Sequence, residues 1–130
     1  MSQDSIFLQF SDEIQEKLKS LNITTPTSVQ QNVIPTILEN KNVIFQSETG
    51  TGKTFTYLLP IIKRIHEAST NDAIKAIICA PTFELASQIK QAAMSVTSLK
   101  TALFIGGAPI KRQIESLKEK PQIIVGTTAR

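Results

Sequence analysis

Lys53 and Thr54 close the run Ser47-Glu48-Thr49-Gly50-Thr51-Gly52-Lys53-Thr54, where glycines, hydroxyls and one cation stand at the spacing of a phosphate-binding loop. Gly50 and Gly52 permit backbone turns that aim successive N–H groups into one anion-sized hollow. The apolar run Phe55-Thr56-Tyr57-Leu58-Leu59 opens a helix whose positive N-terminal end faces the same hollow. From there Lys53 reaches terminal phosphates, and the Thr54 hydroxyl is placed to join a Mg²⁺ shell. In front, Asn42-Val43-Ile44-Phe45-Gln46 reads as a buried strand, which completes the strand–loop–helix context. The general motif has a glycine where this chain has Ser47. A Gly/Thr-rich turn that merely ends a strand is the competing explanation. Gly-Lys-Thr directly ahead of a helix argues against it, and the loop is read as a binder of nucleotide phosphates.

The surrounding pattern supplies the elements that must hold this loop. Ile14, Leu18 and Leu21 recur at helical spacing and predict a helix from about Asp12 to Leu21. Thr27 is an N-cap for a second helix that runs to about Asn40 with Val29, Val33 and Ile37 on one face; Pro35 should kink it or thin its hydrogen bonding. The helix after the loop runs to about Ala68. Ile74–Ala80, Thr101–Ile105 and Gln122–Val125 read as further strands. Between them lie a helix with the core stripe Leu85, Ile89, Ala92 and Val96, and another lined by Ile110, Ile114 and Leu117. Strands alternating with helices imply an α/β domain with a mostly parallel sheet.

At 130 residues the chain is one domain at most. No apolar run approaches the roughly 18 residues of a membrane span, so no membrane partner is expected. The polar start Met1-Ser2-Gln3-Asp4-Ser5 is no secretory signal. Cys79, the single cysteine, excludes a disulfide framework and reads as a small buried thiol within Ile77-Ile78-Cys79-Ala80. A net charge of +3 is compatible with a polyanionic partner without arguing for one. The chain reads as cytoplasmic, with a nuclear location open to a eukaryotic protein.

With the phosphate loop placed, other short stretches fall into a recognisable order. Pro26-Thr27-Ser28-Val29-Gln30 resembles the Pro-Thr-x-x-Gln element of DEAD-box RNA helicases, and Phe10 resembles the isolated aromatic ahead of it. Pro81-Thr82-Phe83-Glu84-Leu85-Ala86 is similar to that family's Pro-Thr-Arg-Glu-Leu-Ala motif. Gly106-Gly107 resembles its glycine doublet, and Thr127-Thr128-Ala129-Arg130 its Thr-Pro-Gly-Arg motif. The resemblance implies a RecA-like phosphate-loop NTPase fold, with residues 1–40 an adenine-recognition segment and 41–130 part of the ATP-binding domain. It implies ATP and Mg²⁺ as cofactors. Gln30 would hydrogen-bond the adenine edge, Phe10 would stack near the ring, and Thr27 would tie this element to the phosphate loop at Ser47–Thr54.

The same resemblance implies an RNA track at the strand ends, where Pro81, Thr82, Gly106, Gly107, Thr127 and Arg130 would hold the sugar-phosphate backbone without reading bases. Phe83 stands where the family has Arg, and Thr128-Ala129 replace Pro-Gly; Asn22 stands where Gly is common, and Asn tolerates positive φ. None of Asp12, Glu13, Glu16, Glu39, Asp72, Glu115 or Glu119 lies just past a predicted strand, so the chain reads as the front half of a catalytic domain. The family's Asp-Glu-Ala-Asp motif and second RecA-like domain would lie beyond residue 130, with further strands between Asn42–Gln46 and Ile74–Ala80. An ATP-dependent RNA helicase is the reading these features favour. The alternative is a non-catalytic RNA-binding or scaffold module that kept the architecture, suggested by Phe83 and Thr128-Ala129.

Overall fold

Ser11 starts the first long helix by accepting the Ile14 N–H at its side-chain oxygen, and Asp12 and Glu13 complement the helix dipole behind it. The computed structural model describes residues 5–48, 52–68, 74–106 and 109–128. The chain divides into two compact units, Met1–Glu67 and Ala68–Arg130.

The first unit is helical: a 3₁₀ turn at Ile6–Gln9, then α1 (Asp12–Ser20), α2 (Ser28–Leu38) and α3 (Lys53–Glu67). Its core joins Phe7, Phe10, Ile14 and Leu18 to Val33 and Ile34 of α2 and to Leu58, Leu59 and Ile62 of α3. Leu21 falls just past α1 and is exposed, and the buried face of α2 is Gln30, Val33 and Ile34 rather than Val29, Val33 and Ile37. Pro35 lies inside α2 without ending it. Asn22 does adopt positive φ, at 62°.

The expected strand at Asn42–Gln46 is not formed. Residues 41–48 carry no regular secondary structure, Val43 is exposed, and Ile44 is 101% exposed. A five-residue apolar run gains from a strand conformation only when a neighbour supplies the ladder hydrogen bonds. Among the described residues no strand pairs with this one.

The second unit is the sheet. β1 (Ala76–Ala80), β2 (Thr101–Phe104) and β3 (Ile123–Thr127) are all parallel, in the order β1-β3-β2. Helix α4 (Phe83–Val96) covers the sheet, and α5 (Ile110–Ser116) lies along β2. β3 is central and buried throughout except at Thr127. A Cβ at Gly126 would overlap the Phe104 carbonyl, so glycine there allows β2 and β3 to approach.

Three expectations are corrected here. The buried stripe of α4 is Ala86, Ile89, Ala93 and Val96, one step round from the expected one, with Leu85 exposed. Along α5 the buried residue is Gln113, while Ile110, Ile114 and Leu117 are exposed. The Gln113 amide finds a partner in the Ile105 carbonyl, 2.8 Å away, which a purely apolar count of the helix face could not register. Cys79 is exposed, because alternate residues along β1, Ile77 and Cys79, face outward while Ala76, Ile78 and Ala80 face the packed side.

Candidate nucleotide site and strand-end surface

Thr27 caps α2 in a reciprocal arrangement. Its hydroxyl oxygen accepts the Gln30 N–H at 3.3 Å, and Gln30 Oε1 accepts the Thr27 N–H at 2.9 Å. This fixes the Gln30 amide so that its Nε2 donates to the Gly52 carbonyl at 3.2 Å. The same carbonyl also accepts the Thr56 N–H and the Thr56 hydroxyl, at 3.2 and 3.0 Å. Three donors from two helices thus hold the last glycine of the phosphate loop. The residue joining the upstream element to the loop by hydrogen bond is Gln30, while Thr27 contributes its methyl group beside Gly52.

Gly52 has φ +81°, and a Cβ there would overlap Gln30 Nε2. Only glycine combines that dihedral with that proximity. Lys53 and Thr54 then open α3, where the first turn leaves backbone N–H groups without helical partners. Both side chains are half-buried. Of the loop itself, Ser47 is half-buried and Glu48 exposed, while Thr49, Gly50 and Thr51 lie outside the described residues.

Tyr57 joins the site although no motif marks it. Burial pushes its phenol above the ordinary value, and a side-chain hydrogen bond with Thr54 acts in the opposite direction. The signal was present: Tyr57 follows Thr54 by three residues, one turn on along the same helix face. Phe10 is buried in the first unit, its carbonyl accepting Gln15 Nε2 at 2.8 Å. Gln30 is 1% exposed. Neither residue presents a free surface to a base in this conformation.

In the second unit the parallel register brings three strand ends to one rim. Ala80 pairs with Thr127 and Phe104 with Gly126, so the carboxyl ends of β1, β3 and β2 stand level. Pro81 and Thr82 follow β1 and are exposed, Gly106 follows β2 and is exposed, and Thr127 ends β3. The Thr82 hydroxyl oxygen accepts the Leu85 N–H at 3.2 Å and caps α4. Phe83, the first residue of α4, is 55% exposed beside that cap. Gly107 and Arg130 lie outside the described residues.

Parallel strands whose carboxyl ends form a single rim are where open α/β sheets place their ligands. Solved structures agree on the fold. A DEAD box protein from the hyperthermophile Methanococcus jannaschii superposes with a TM-score of 0.85 at 38% identity, over 93% of this chain and 33% of that one. A hypothetical ATP-dependent RNA helicase from Sulfolobus tokodaii gives 0.82 at 29% identity, over 93% of this chain and 35% of that one. The chain is thus a RecA-like α/β domain of the phosphate-loop NTPase class.

Its sequence matches the DEAD/DEAH box helicase family over residues 27–130, and the protein belongs to that family. It is 43% identical to the DEAD-box ATP-dependent RNA helicase CshB of Listeria monocytogenes, over 100% of this chain and 31% of the relative. Against CshB of Bacillus subtilis the identity is 41%, over 85% of this chain and 26% of the relative. The chain therefore spans about a third or less of the length of these relatives.

Proposed function

We propose that the protein acts as an ATP-dependent RNA helicase, with this chain holding ATP and part of a sequence-independent RNA track. The observation that carries the reading is the Gly52 carbonyl, held by Gln30 from the upstream helix and by Thr56 from the helix behind the loop. This arrangement makes one unit of the base-recognition element and the phosphate-recognition element.

The residues present fit a nucleoside triphosphate. Gly52 admits the Gln30 amide where a Cβ would stand, and α3 offers its N-terminal turn with Lys53 and Thr54. In this reading Lys53 neutralises terminal phosphate charge, and the Thr54 hydroxyl holds Mg²⁺, for which Tyr57 positions it. Among the described residues no group of three or more His, Cys, Asp or Glu could hold a metal ion. Bound Mg²⁺–ATP would supply the phosphoryl bond whose cleavage drives the cycle.

Gln30 keeps one Nε2 hydrogen and one Oε1 lone pair beyond its two recorded bonds. That donor–acceptor pair matches the N7 and N6-amino edge of adenine. Because Gln30 and Phe10 are both buried, base recognition includes a local opening of the first unit. Beside Pro81 on the rim, Thr82, Gly106 and Thr127 offer backbone amides and hydroxyls to phosphates and sugars, to which Gly107 and Arg130, outside the described residues, would add an amide and a cation. A second RecA-like domain in the whole protein would complete both sites.

The whole protein should hydrolyse ATP faster with single-stranded RNA present and separate short duplexes. Lys53→Ala should abolish both activities, since water cannot replace a cation among several phosphate charges. Retained RNA-stimulated hydrolysis in Lys53→Ala would overturn the reading.

A further inference from the structure

The outer side of β2 borders a cavity of about 240 Å³ inside the second unit. Lys90 of α4, Lys100 ahead of β2, and Arg112, Gln113 and Ser116 of α5 line it together with Glu119. Three cations therefore meet one carboxylate. Lys100 Nζ donates to the Glu119 carbonyl oxygen at 3.1 Å. The ion pairs among the described residues, Lys41–Glu39 and Lys63–Glu67, use neither Lys90 nor Arg112.

Gln113 adds an independent signal. It is 7% exposed, and its Nε2 donates to the Ile105 carbonyl at 2.8 Å, which fixes which end of the amide is which. Its Oε1 is buried with no donor, the single such side-chain atom recorded among the described residues. An acceptor left this way is destabilising, and a ligand donor would offset that cost.

We propose that this cavity binds a phosphomonoester that carries a hydroxyl on the same small sugar. The phosphate sits between Lys90 and Arg112, and the hydroxyl donates to Gln113 Oε1. The cavity's excess of two positive charges matches the roughly −1.5 to −2 of a phosphomonoester at neutral pH. Its volume falls below the approximately 300–1,000 Å³ of pockets for drug-sized ligands, which suits a pentose phosphate and excludes a nucleoside triphosphate. The cavity draws on none of the phosphate-loop residues, so it stands independently of the helicase reading. The same chemistry occurs on a free sugar phosphate and on the 5′-phosphorylated end of an RNA.

The test is an amide-shift titration of the isotope-labelled intact protein with ribose 5-phosphate, which localises binding by residue. Saturable shifts are expected at Lys90, Thr101–Leu103 and Gln113. Ribose alone and inorganic phosphate should bind more weakly, each lacking half of the recognition. Lys90→Gln with Arg112→Gln should weaken binding by about tenfold or more, the scale of a lost charged hydrogen bond. If the pair perturbs the spectrum globally, Arg112→Gln alone, at an exposed position, serves the same purpose. In a second arm, shifts at these amides from a 5′-phosphorylated oligoribonucleotide and none from its 5′-hydroxyl counterpart would assign the RNA end as the source. No shifts at these residues with either probe, shifts indifferent to the variants, or inorganic phosphate binding as tightly as the sugar phosphate would overturn the proposal.

Discussion

Gln30 Nε2 and the Gly52 carbonyl lie 3.2 Å apart, so a helix-capping glutamine reaches 22 residues along the chain to the end of the phosphate loop. A side chain at residue 52 would collide with that amide and would also have to accept φ +81°. Gly52→Ala should therefore cost about 1–3 kcal/mol from the strained dihedral alone, and displace Gln30 as well. Thermal unfolding should register the loss, and fluorescent-nucleotide binding should fall with it. Gln30→Ala is expected to cost about 0.5–1.5 kcal/mol through its lost hydrogen bonds and to erode the preference of the whole protein for ATP over GTP. An unchanged ATP-to-GTP ratio in competition binding would remove Gln30 from base recognition.

Tyr57 is the single tyrosine and the chain has no tryptophan, so its ionisation is readable by ultraviolet difference absorbance. Burial raises its pKa, with the Thr54 hydrogen bond opposing. A group whose pKa is raised on folding contributes stability that is complete below its unfolded pKa and is lost as pH climbs through the folded value. The chain should accordingly hold its stability through neutral pH and lose this contribution only in the alkaline range above an ordinary phenol. Tyr57→Phe should remove that alkaline step and leave the Thr54 hydroxyl free to turn. A phenolic titration at the ordinary value in the folded chain would contradict the burial.

The helices were legible in the sequence where a chemical signal marked their ends. Thr27 and Gln30 spell a capping box, and α2 starts at Ser28 as that signal requires. The parallel sheet was legible from the alternation of elements, and the rim of motifs at its strand ends follows from register alone. What failed depended on neighbours. Asn42–Gln46 has strand composition and, among the described residues, no strand beside it, and Cys79 is apolar in context but lies on the outward face of β1. The link from Gln30 to Gly52 could not be seen either, since no spacing rule joins residues 22 apart through a side-chain amide.

Phe83 tests the strand-end surface. It occupies the first turn of α4, exposed, beside the Thr82 cap, where the family motif has an arginine. Phe83→Arg adds one cation to the rim and should tighten RNA binding by the whole protein. The slope of log affinity against log salt should steepen by about 0.7, the single-strand value for one more neutralised phosphate. Stability should stay within about 0.5 kcal/mol, because an exposed position loses little packing. A salt slope unaltered by the substitution would take residue 83 off the RNA path.

Ile44 decides how the run Asn42–Gln46 behaves. In a buried strand, an isoleucine-to-lysine change strands a charge in the core and unfolds most domains of this size. Here the Ile44 side chain is fully exposed, and residues 41–48 pair with no strand among the described residues. Ile44→Lys in the 130-residue chain should therefore leave the denaturation midpoint within about 0.5 kcal/mol of the parent. It should also raise solubility, since a charge interrupts an exposed segment of high β-propensity that would otherwise seek a strand edge in another molecule. Ile34, fully buried between the helices of the first unit, is the internal comparison, and Ile34→Lys should abolish cooperative unfolding. Equal damage from the two substitutions would show that Asn42–Gln46 is inserted in a sheet in solution.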